Sequence, residues 1–342
     1  MAEDPTATWA YLAQGETFAV VGLGGAGCEA VHDLVELGVP GVHAFAVNTD
    51  ARHLLRVKVE ERILLGQRKL KGRGSGGDRI AVVEAAEEGR DELVGRLSRF
   101  EIVFLLAGLG GGTGSALLPY LSAALRRTDA LAIPIGFLPF QVEIDANSER
   151  RENVATTLRE LEDLGGLLLL IANEKLRRFE SLPVPKVFHL RNTYLHQLVT
   201  SLVDMVEHPS QLNVDLGSLK SHLRNGGLST LLCSEYHVSD PDRLVQEALN
   251  GSLLDFHIGE SPSALLHLDG GSNLTLRTLD RVLRSVRTRF GEPRRLILGT
   301  RLHPEARDVV RLTAVVGGVE SRSSRPAPRA EPVEPELIPT VR

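Results

Sequence analysis

The stretch Ala107-Gly108-Leu109-Gly110-Gly111-Gly112-Thr113-Gly114-Ser115-Ala116 decides the fold of this chain. It follows the apolar run Ile102 to Leu106, which predicts a buried strand, and it precedes Leu117 to Leu125, which predicts a helix. Because glycine has no Cβ, such a loop can bend sharply and point several N–H groups at one spot, where the helix dipole adds positive potential. The stretch therefore predicts a phosphate-binding loop between a strand and a helix.

Composition narrows the class of protein. The 342 residues are 42% hydrophobic, which is enough for two domains with cores of their own, and the net charge of -5 argues against a nucleic-acid partner. With only Cys28 and Cys233, the chain has no disulfide framework, which is typical of a reducing cytosol. Met1 opens no signal-like segment and no apolar run is long enough for a membrane span, so we expect a cytoplasmic protein without direct membrane insertion.

Strand and helix patterns alternate from a strand at Phe18 to Val21 as far as a long helix at Lys186 to Glu207. This alternation predicts a parallel sheet with helices on both faces, in which ligands bind at the carboxyl ends of the strands. Within it the pattern predicts one long helix from Ile80 to about Leu97 and a charged, exposed helix from Glu149 to Leu164. From Ser229 onward the alternation is less regular, which predicts a smaller mixed α/β unit.

The glycine-rich loops admit more than one interpretation. Gly22-x-Gly24-x-x-Gly27 matches a dinucleotide fingerprint, with Asp50 near the place of a ribose-binding acid, so an NAD enzyme is one alternative. A single dinucleotide loop leaves the glycine-rich segments 70–78 and 107–116 unexplained, and the latter lacks the lysine of a P-loop. We favour a nucleotide held mainly by backbone N–H groups, with hydroxyl donors from Thr113 and Ser115 and a magnesium ion meeting the remaining charge.

At these residues the chain resembles the tubulin/FtsZ family, and FtsZ more than eukaryotic tubulin. The segment 110–115 looks like the family's signature phosphate loop, and the likeness extends over about residues 17–319. Further segments match the family in the same order along the chain, at 22–30, 46–51, 72–77, 139–143, 172–176, 213–215, 269–276 and 311–313. The resemblance implies GTP or GDP as ligand, head-to-tail filaments in which a loop of the next subunit completes the active site, and a role in cell division or cell shape.

The resemblance also implies a division of the chain. An α/β fold is expected, with a parallel-sheet GTPase domain, a long central helix and a smaller mixed α/β C-terminal domain. The expected segments are an N-terminal arm at 1–16, the GTP-binding domain at 17–185, the central helix and catalytic loop at 186–225, the C-terminal activation domain at 226–319 and a disordered tail at 320–342. Glu336 to Arg342 resembles the FtsZ tail that docks a membrane adaptor, and an ordinary tail is the alternative.

Carried over position by position, the family's binding residues fall on a defined set. It comprises Gly24, Gly25, Ala26, Gly27, Cys28, Gly76, Gly110, Gly111, Gly112, Thr113, Gly114, Ser115, Glu143, Asn147, Asn173, Phe188 and Asn192. The resemblance implies that Glu143 contacts the ribose, that Asn173 and Asn192 recognise the guanine edge and that Phe188 lies beside the base. Phe188 and Asn192 are four apart on one helix face, although each taken alone is an ordinary packing or surface residue.

The chain departs from the family at four positions. Glu29 stands where the family has Asn, Asn147 where FtsZ has a basic residue and Asn192 where FtsZ has Asp. In the catalytic loop the resemblance assigns Asn213 and Asp215, while Ser218 replaces the second FtsZ aspartate. A positioned general base is worth roughly 10²–10⁴-fold in rate, so we expect GTP binding with slow hydrolysis. The alternative is an accessory protein that co-assembles with another FtsZ-like subunit and has weak or no hydrolysis of its own.

Overall fold

The computed structural model describes residues 17–208, 212, 214–303, 306 and 308–321. Its N-terminal half contains six parallel strands in the order β3-β2-β1-β4-β5-β6. They are β1 Phe18–Leu23, β2 Val42–Asn48, β3 Glu61–Leu64, β4 Ile102–Gly108, β5 Leu131–Leu138 and β6 Leu168–Ala172. The predicted arm, residues 322–342 of the predicted tail and Asn213 of the predicted catalytic loop lie outside the described residues, whereas Glu320, expected in the tail, ends the last strand and Ser321 is buried.

Helices cover both faces of these strands. They are α1 Gly24–Leu37, α2 Ala51–Leu54, α3 Arg79–Glu88, α4 Arg90–Leu97, α5 Gly112–Leu125, α6 Gln141–Asp145, α7 Ser148–Leu164, α8 Val184–Glu207 and α9 Leu216–Arg224, with a 3₁₀ segment at Asn173–Phe179. Alternate residues of β1 face opposite ways: Phe18 and Val20 share a core with α1 and α8, while Ala19 and Val21 share one with α5 and α7. Strands buried on both faces need the near-continuous apolar runs that the sequence contains.

The C-terminal half extends the same sheet. Its elements are β7 Leu228–His237, α10 Pro241–Asn250, β8 His257–Gly270, α11 Leu276–Phe290, β9 Arg295–Leu302 and β10 Val309–Glu320. β7 pairs in parallel with β6 at Leu168 and Leu169, whereas β10 lies antiparallel between β7 and β8, giving one ten-stranded mixed sheet. The predicted α/β class is therefore confirmed. No helix of the described residues is long and apolar enough to cross a membrane.

Two predicted helices need correction. The single helix from Ile80 to Leu97 is two helices, because the chain bends at Gly89, which ends α3 and begins α4. The helix expected to be exposed, α7, instead buries a face that includes Asn153, Val154 and Thr157 against α5. Part of that face is polar, so a search for apolar periodicity did not detect it.

Candidate functional site

The three glycine-rich loops meet at the carboxyl edge of the sheet. A Cβ added to Gly24 would lie 2.9 Å from the backbone nitrogen of Gly114, and one added to Gly112 would lie 2.7 Å from the carbonyl carbon of Gly77. Gly24 also has a φ of +68°, in the left-handed region that favours glycine. The loops therefore approach one another more closely than side chains would allow, and together they form one concave wall.

Two helices begin at this wall without a side-chain cap. Leu23 precedes α1 and Gly111 precedes α5, and neither provides a capping hydrogen bond. The first N–H groups of both helices are left for a ligand, and both dipoles favour negative charge there. A Cβ on Gly27 would lie 2.1 Å from the Leu106 carbonyl oxygen, so a close approach that only glycine permits fixes the start of α1 against β4. The arrangement, called the cradle below, has the features that suit a phosphate group.

The two predicted hydroxyl donors have different environments. Thr113 lies at the junction of the loops, with its Oγ1 2.8 Å from Thr49 Oγ1 and 3.5 Å from Ser75 Oγ. Ser115 is fully buried, and its Oγ accepts a hydrogen bond from the Gly110 N–H at 2.8 Å. Ser115 thus holds the shape of the loop through a hydrogen bond within it, while Thr113 connects the loop to Thr49 and Ser75. Gly76, with a φ of +63°, has open space where a side chain would be.

A proline inside α5 ties this loop to α3 and α7. Pro119 has no N–H, so the Ser115 carbonyl four residues earlier loses its helical partner. That carbonyl instead accepts from the Arg79 guanidinium at 3.2 Å and lies 2.9 Å from the Thr157 hydroxyl, whose single proton it shares with the Asn153 carbonyl at 2.7 Å. Two other elements thereby satisfy a buried group that would otherwise be costly.

A second brace comes from Asn153 on α7. Its Nδ2 donates to the Gly77 oxygen at 3.1 Å and to the Gly110 oxygen at 3.2 Å, so one buried amide joins two of the loops. Neither Asn153 nor Thr157 was predicted from sequence. The available signal was Pro119 inside a predicted helix, since it implies an unpaired carbonyl that another side chain must satisfy.

Two side chains at the start of α1 have partners within the protein. Cys28 is fully buried, with Sγ 3.3 Å from the Gly22 oxygen, and burial raises the pKa of its thiol to about 12. The thiol is therefore a protonated core group and contributes nothing directly to a ligand site. Glu29, the departure from the family pattern, pairs with His53 Nε2 at 3.1 Å, so its carboxylate has a partner.

Glu143, the residue predicted to contact the ribose, lines the pocket next to the glycine loops. Glu143 accepts from the Phe140 N–H at 3.1 Å and forms an ion pair with Arg150. Asn147 is exposed and caps α7, with its Oδ1 accepting from the Arg150 N–H at 3.0 Å. Arg150 thus places a cation near the position of Asn147, and its side chain packs against Gly110.

A pocket of about 400 Å³ adjoins the cradle and gathers five of the predicted residues. Its lining includes Ala26, Glu143, Asn173, Phe188 and Asn192. The Phe188 ring contacts that of Phe140 edge-on at a centroid distance of 6.1 Å. Residues from β5, α6, the 3₁₀ segment and α8 therefore form one site.

Arg191 is an unpredicted residue in the lining of this pocket. Its side chain is only 3% exposed, and its guanidinium carbon lies 4.0 Å from the centroid of the Phe137 ring. Nε donates to Asn192 Oδ1 at 3.1 Å and Nη1 to Asn173 Oδ1 at 3.4 Å. Asn192 Nδ2 in turn donates to Asp33 Oδ2 at 2.7 Å. Both predicted base-recognising amides are thus joined by one arginine.

The described part of the predicted catalytic loop lies apart from this pocket. Asp215 caps α9, and its Oδ1 accepts from the Ser218 N–H at 2.8 Å. Hydrogen bonds from the Ser218 side chain and backbone lower the pKa of Asp215, so it is a stable carboxylate at neutral pH. Both residues are exposed and neither lines the pocket, so this carboxylate is available to another molecule.

Comparisons with known proteins agree on one family. The model described as "Tubulin/FtsZ family, GTPase domain" matches residues 17–181, and "FtsZ family, C-terminal domain" matches residues 237–320. Cell division protein FtsZ 1 of Pyrococcus furiosus is 32% identical, over 94% of this chain and 86% of the relative.

Two solved structures extend the agreement to the fold. An empty FtsZ dimer of M. jannaschii is 29% identical, with a TM-score of 0.80 and full coverage of both chains. GDP-bound monomeric CetZ1 of Haloferax volcanii is 26% identical, with a TM-score of 0.78 over 90% of this chain and 96% of that one.

Proposed function

The chain belongs to the tubulin/FtsZ family, and from this premise we propose that it is a GTP-binding cytoskeletal protein of cell division. It assembles head to tail into filaments, and GTP is hydrolysed to GDP and phosphate at the interface between subunits. The observation that carries the proposal is the cradle of three touching glycine loops and two uncapped helix starts, next to a pocket lined by Phe188, Asn173 and Asn192.

The phosphates would lie against the first N–H groups of α1, at Gly24 to Ala26, and of α5, at Gly111 to Gly114. Glu143 would accept from the ribose hydroxyls, and the base would enter the pocket beside Phe188. Two helix dipoles, together with Arg150, would meet part of the triphosphate charge.

A magnesium ion would meet the remainder of that charge. Within the described residues, the two groups of three ligand-type side chains lie at His32, Asp33 and Glu36 and at Asp204, Asp269 and His303, so neither involves the glycine loops. The ion would therefore be held by phosphate oxygens, by hydroxyls such as that of Thr113, and by water, as is usual for Mg²⁺ at nucleotides.

Hydrolysis requires a second subunit in this scheme. Asp215, with Asn213 of the same loop, would face the nucleotide of the neighbouring copy, because Asp215 is exposed and away from its own pocket. The domain limits 17–185, 186–225 and 226–319 belong to the same proposal. So do a cytoplasmic location at the division site and an adaptor bound by residues 336–342.

Sedimentation and phosphate release in the presence of GTP and Mg²⁺ test the proposal. We expect pelletable filaments with GTP, and a phosphate-release rate per subunit that rises steeply with protein concentration. Asp215→Asn should keep GTP binding but lose hydrolysis. Failure to bind GTP, or binding of NAD in competition with it, would refute the proposed function.

A further inference from the structure

The pocket contains a buried cation whose hydrogen-bonding capacity is largely unused. A guanidinium has five N–H donors, and Arg191 uses only Nε and one N–H of Nη1, the latter in a long bond of 3.4 Å. Among the described residues no carboxylate lies within ion-pair distance of Arg191, and Asp33 acts on it only at longer range. The cation–π contact with Phe137 stabilises the charge but does not replace hydrogen-bond acceptors for the remaining N–H groups.

A ligand that enters the pocket must supply hydrogen-bond acceptors to the Arg191 guanidinium. Burying an ionised side chain without partners is costly, and here burial lowers the pKa of Arg191 to about 10 while leaving it charged at neutral pH. The remaining donors of Nη1 and Nη2 form a planar fork, which suits two adjacent acceptors lying in one plane. Anything lacking such acceptors leaves the cation unsatisfied.

The neighbouring amides are already partly committed to partners within the protein. Asn192 uses Oδ1 for Arg191 and Nδ2 for Asp33, and Asn173 uses Oδ1 for Arg191. An amide held in this way has less capacity to bind a ligand edge than a free one. Recognition of the ligand therefore shifts from the two asparagines to the arginine between them.

We propose that Arg191 is a specificity-determining residue that recognises guanine by donating two hydrogen bonds to O6 and N7 of the base. Guanine presents two acceptors there, whereas adenine presents the N7 acceptor beside an N6 amino donor, which the fork repels. The inference rests on the proposed nucleotide-binding function. Asn173, Asn192 and Asp33 are then positioning residues that hold the guanidinium over Phe137.

Calorimetric titration with nucleoside diphosphates tests this role. The wild type should bind GDP about ten- to a hundredfold more tightly than 7-deaza-GDP, which lacks the N7 acceptor, or the diphosphate of 2-aminopurine riboside, which lacks O6. ADP should bind more weakly still. Because these comparisons use the unaltered protein, they do not depend on the folding of any variant.

Arg191→Met replaces the cation by an apolar chain of similar length. It should weaken GDP binding by about ten- to a hundredfold and bind GDP and 7-deaza-GDP equally, since the phosphate contacts remain. Arg191→Lys keeps the charge but replaces the planar fork with an ammonium group, so it should retain only part of the preference for N7. Arg178→Met removes another arginine that lies over a ring, that of Phe179 at 5.0 Å, outside the pocket, and should change neither affinity nor preference.

The possible failures are distinguishable. If the wild type binds 7-deaza-GDP as tightly as GDP, or if Arg191→Met keeps the wild-type preference, Arg191 does not recognise this edge and the inference is wrong. Tighter GDP binding by Arg191→Met would also overturn it, because the arginine would then be an obstruction that the base must displace. Absence of GDP binding by the wild type would refute the proposed function itself.

Discussion

Replacing Ser218 with Asp should increase the rate of GTP hydrolysis. In the described structure the only carboxylate at the start of α9 is Asp215, whose Oδ1 is held by the Ser218 N–H at 2.8 Å. Aspartate at 218 adds a second, exposed carboxylate three residues on, where the FtsZ pattern has one. If it acts as a general base on water at the neighbour's nucleotide, the rate should rise roughly 10²–10⁴-fold.

The local structure allows this change without loss of the fold. Ser218 is exposed and lies in the first turn of α9, where a negative charge gains about 0.3–1 kcal/mol from the helix dipole. Repulsion from Asp215 is of similar size at a solvated surface. The two effects offset one another, so the free energy of unfolding should change by less than about 0.5 kcal/mol. The barrier, by contrast, should fall by about 3–5 kcal/mol, which corresponds to the expected gain in rate.

Phosphate release measured over a range of protein concentrations tests whether the added carboxylate acts as a base in a site formed between two subunits. Ser218→Asp should be faster than wild type, with a steep dependence on concentration because the site forms between subunits, and Asp215→Asn in the same chain should abolish the gain. Ser218→Asn is the matched control, since it has the same size but cannot act as a base. Equal rates for the Asp and Asn variants, or a gain that is independent of concentration, would refute the reasoning.

Three further variants test the framework of the site. Thr157→Val leaves a buried α5 carbonyl short of a donor and should lower the free energy of unfolding in urea by about 1–3 kcal/mol; unchanged stability would contradict the bracing role. Gly27→Ala places a methyl 2.1 Å from the Leu106 oxygen and should abolish GDP binding, whereas Gly95→Ala, whose methyl meets nothing within 4 Å, should not. Burial lowers the pKa of His267 to about 4, so the unfolded chain binds the extra proton and stability should fall by up to about 3 kcal/mol from pH 6.5 to 4; His267→Leu should flatten this slope in urea titrations.

The glycine loops, which form the proposed phosphate end of the site, could be predicted because the local sequence determines them. Apolar runs fix the parallel strands, and glycines after them fix where the chain can turn closely, as at Gly24 and Gly112. Parallel strands end at one edge, so the sequence predicted that the loops would meet. The break at Gly89 was missed because glycine is tolerated inside many helices, and only the packing of α3 and α4 decides that here the helix ends.

The hydrogen bonds of Asn153 and Thr157 that support the loops were harder to predict from the sequence. Asn153 and Thr157 are polar, and polar residues at helical spacing normally indicate a solvated face. What buries them is the unpaired carbonyl that Pro119 creates in a different helix, together with the carbonyls of the loops. A buried polar face becomes visible only when donors and acceptors from separate elements are matched.

The pocket proposed to hold the base was harder still to predict from the sequence. An arginine in a charged chain is normally exposed, and nothing near Arg191 in sequence distinguishes it. Its burial depends on Phe137 from β5 and Asn173 from the 3₁₀ segment, which only the fold brings together. These contacts hold the charge but leave donors unused, and a ligand with suitable acceptors can satisfy them. The proposed affinity of this pocket for an acceptor-rich base therefore rests on what the protein alone leaves unsatisfied.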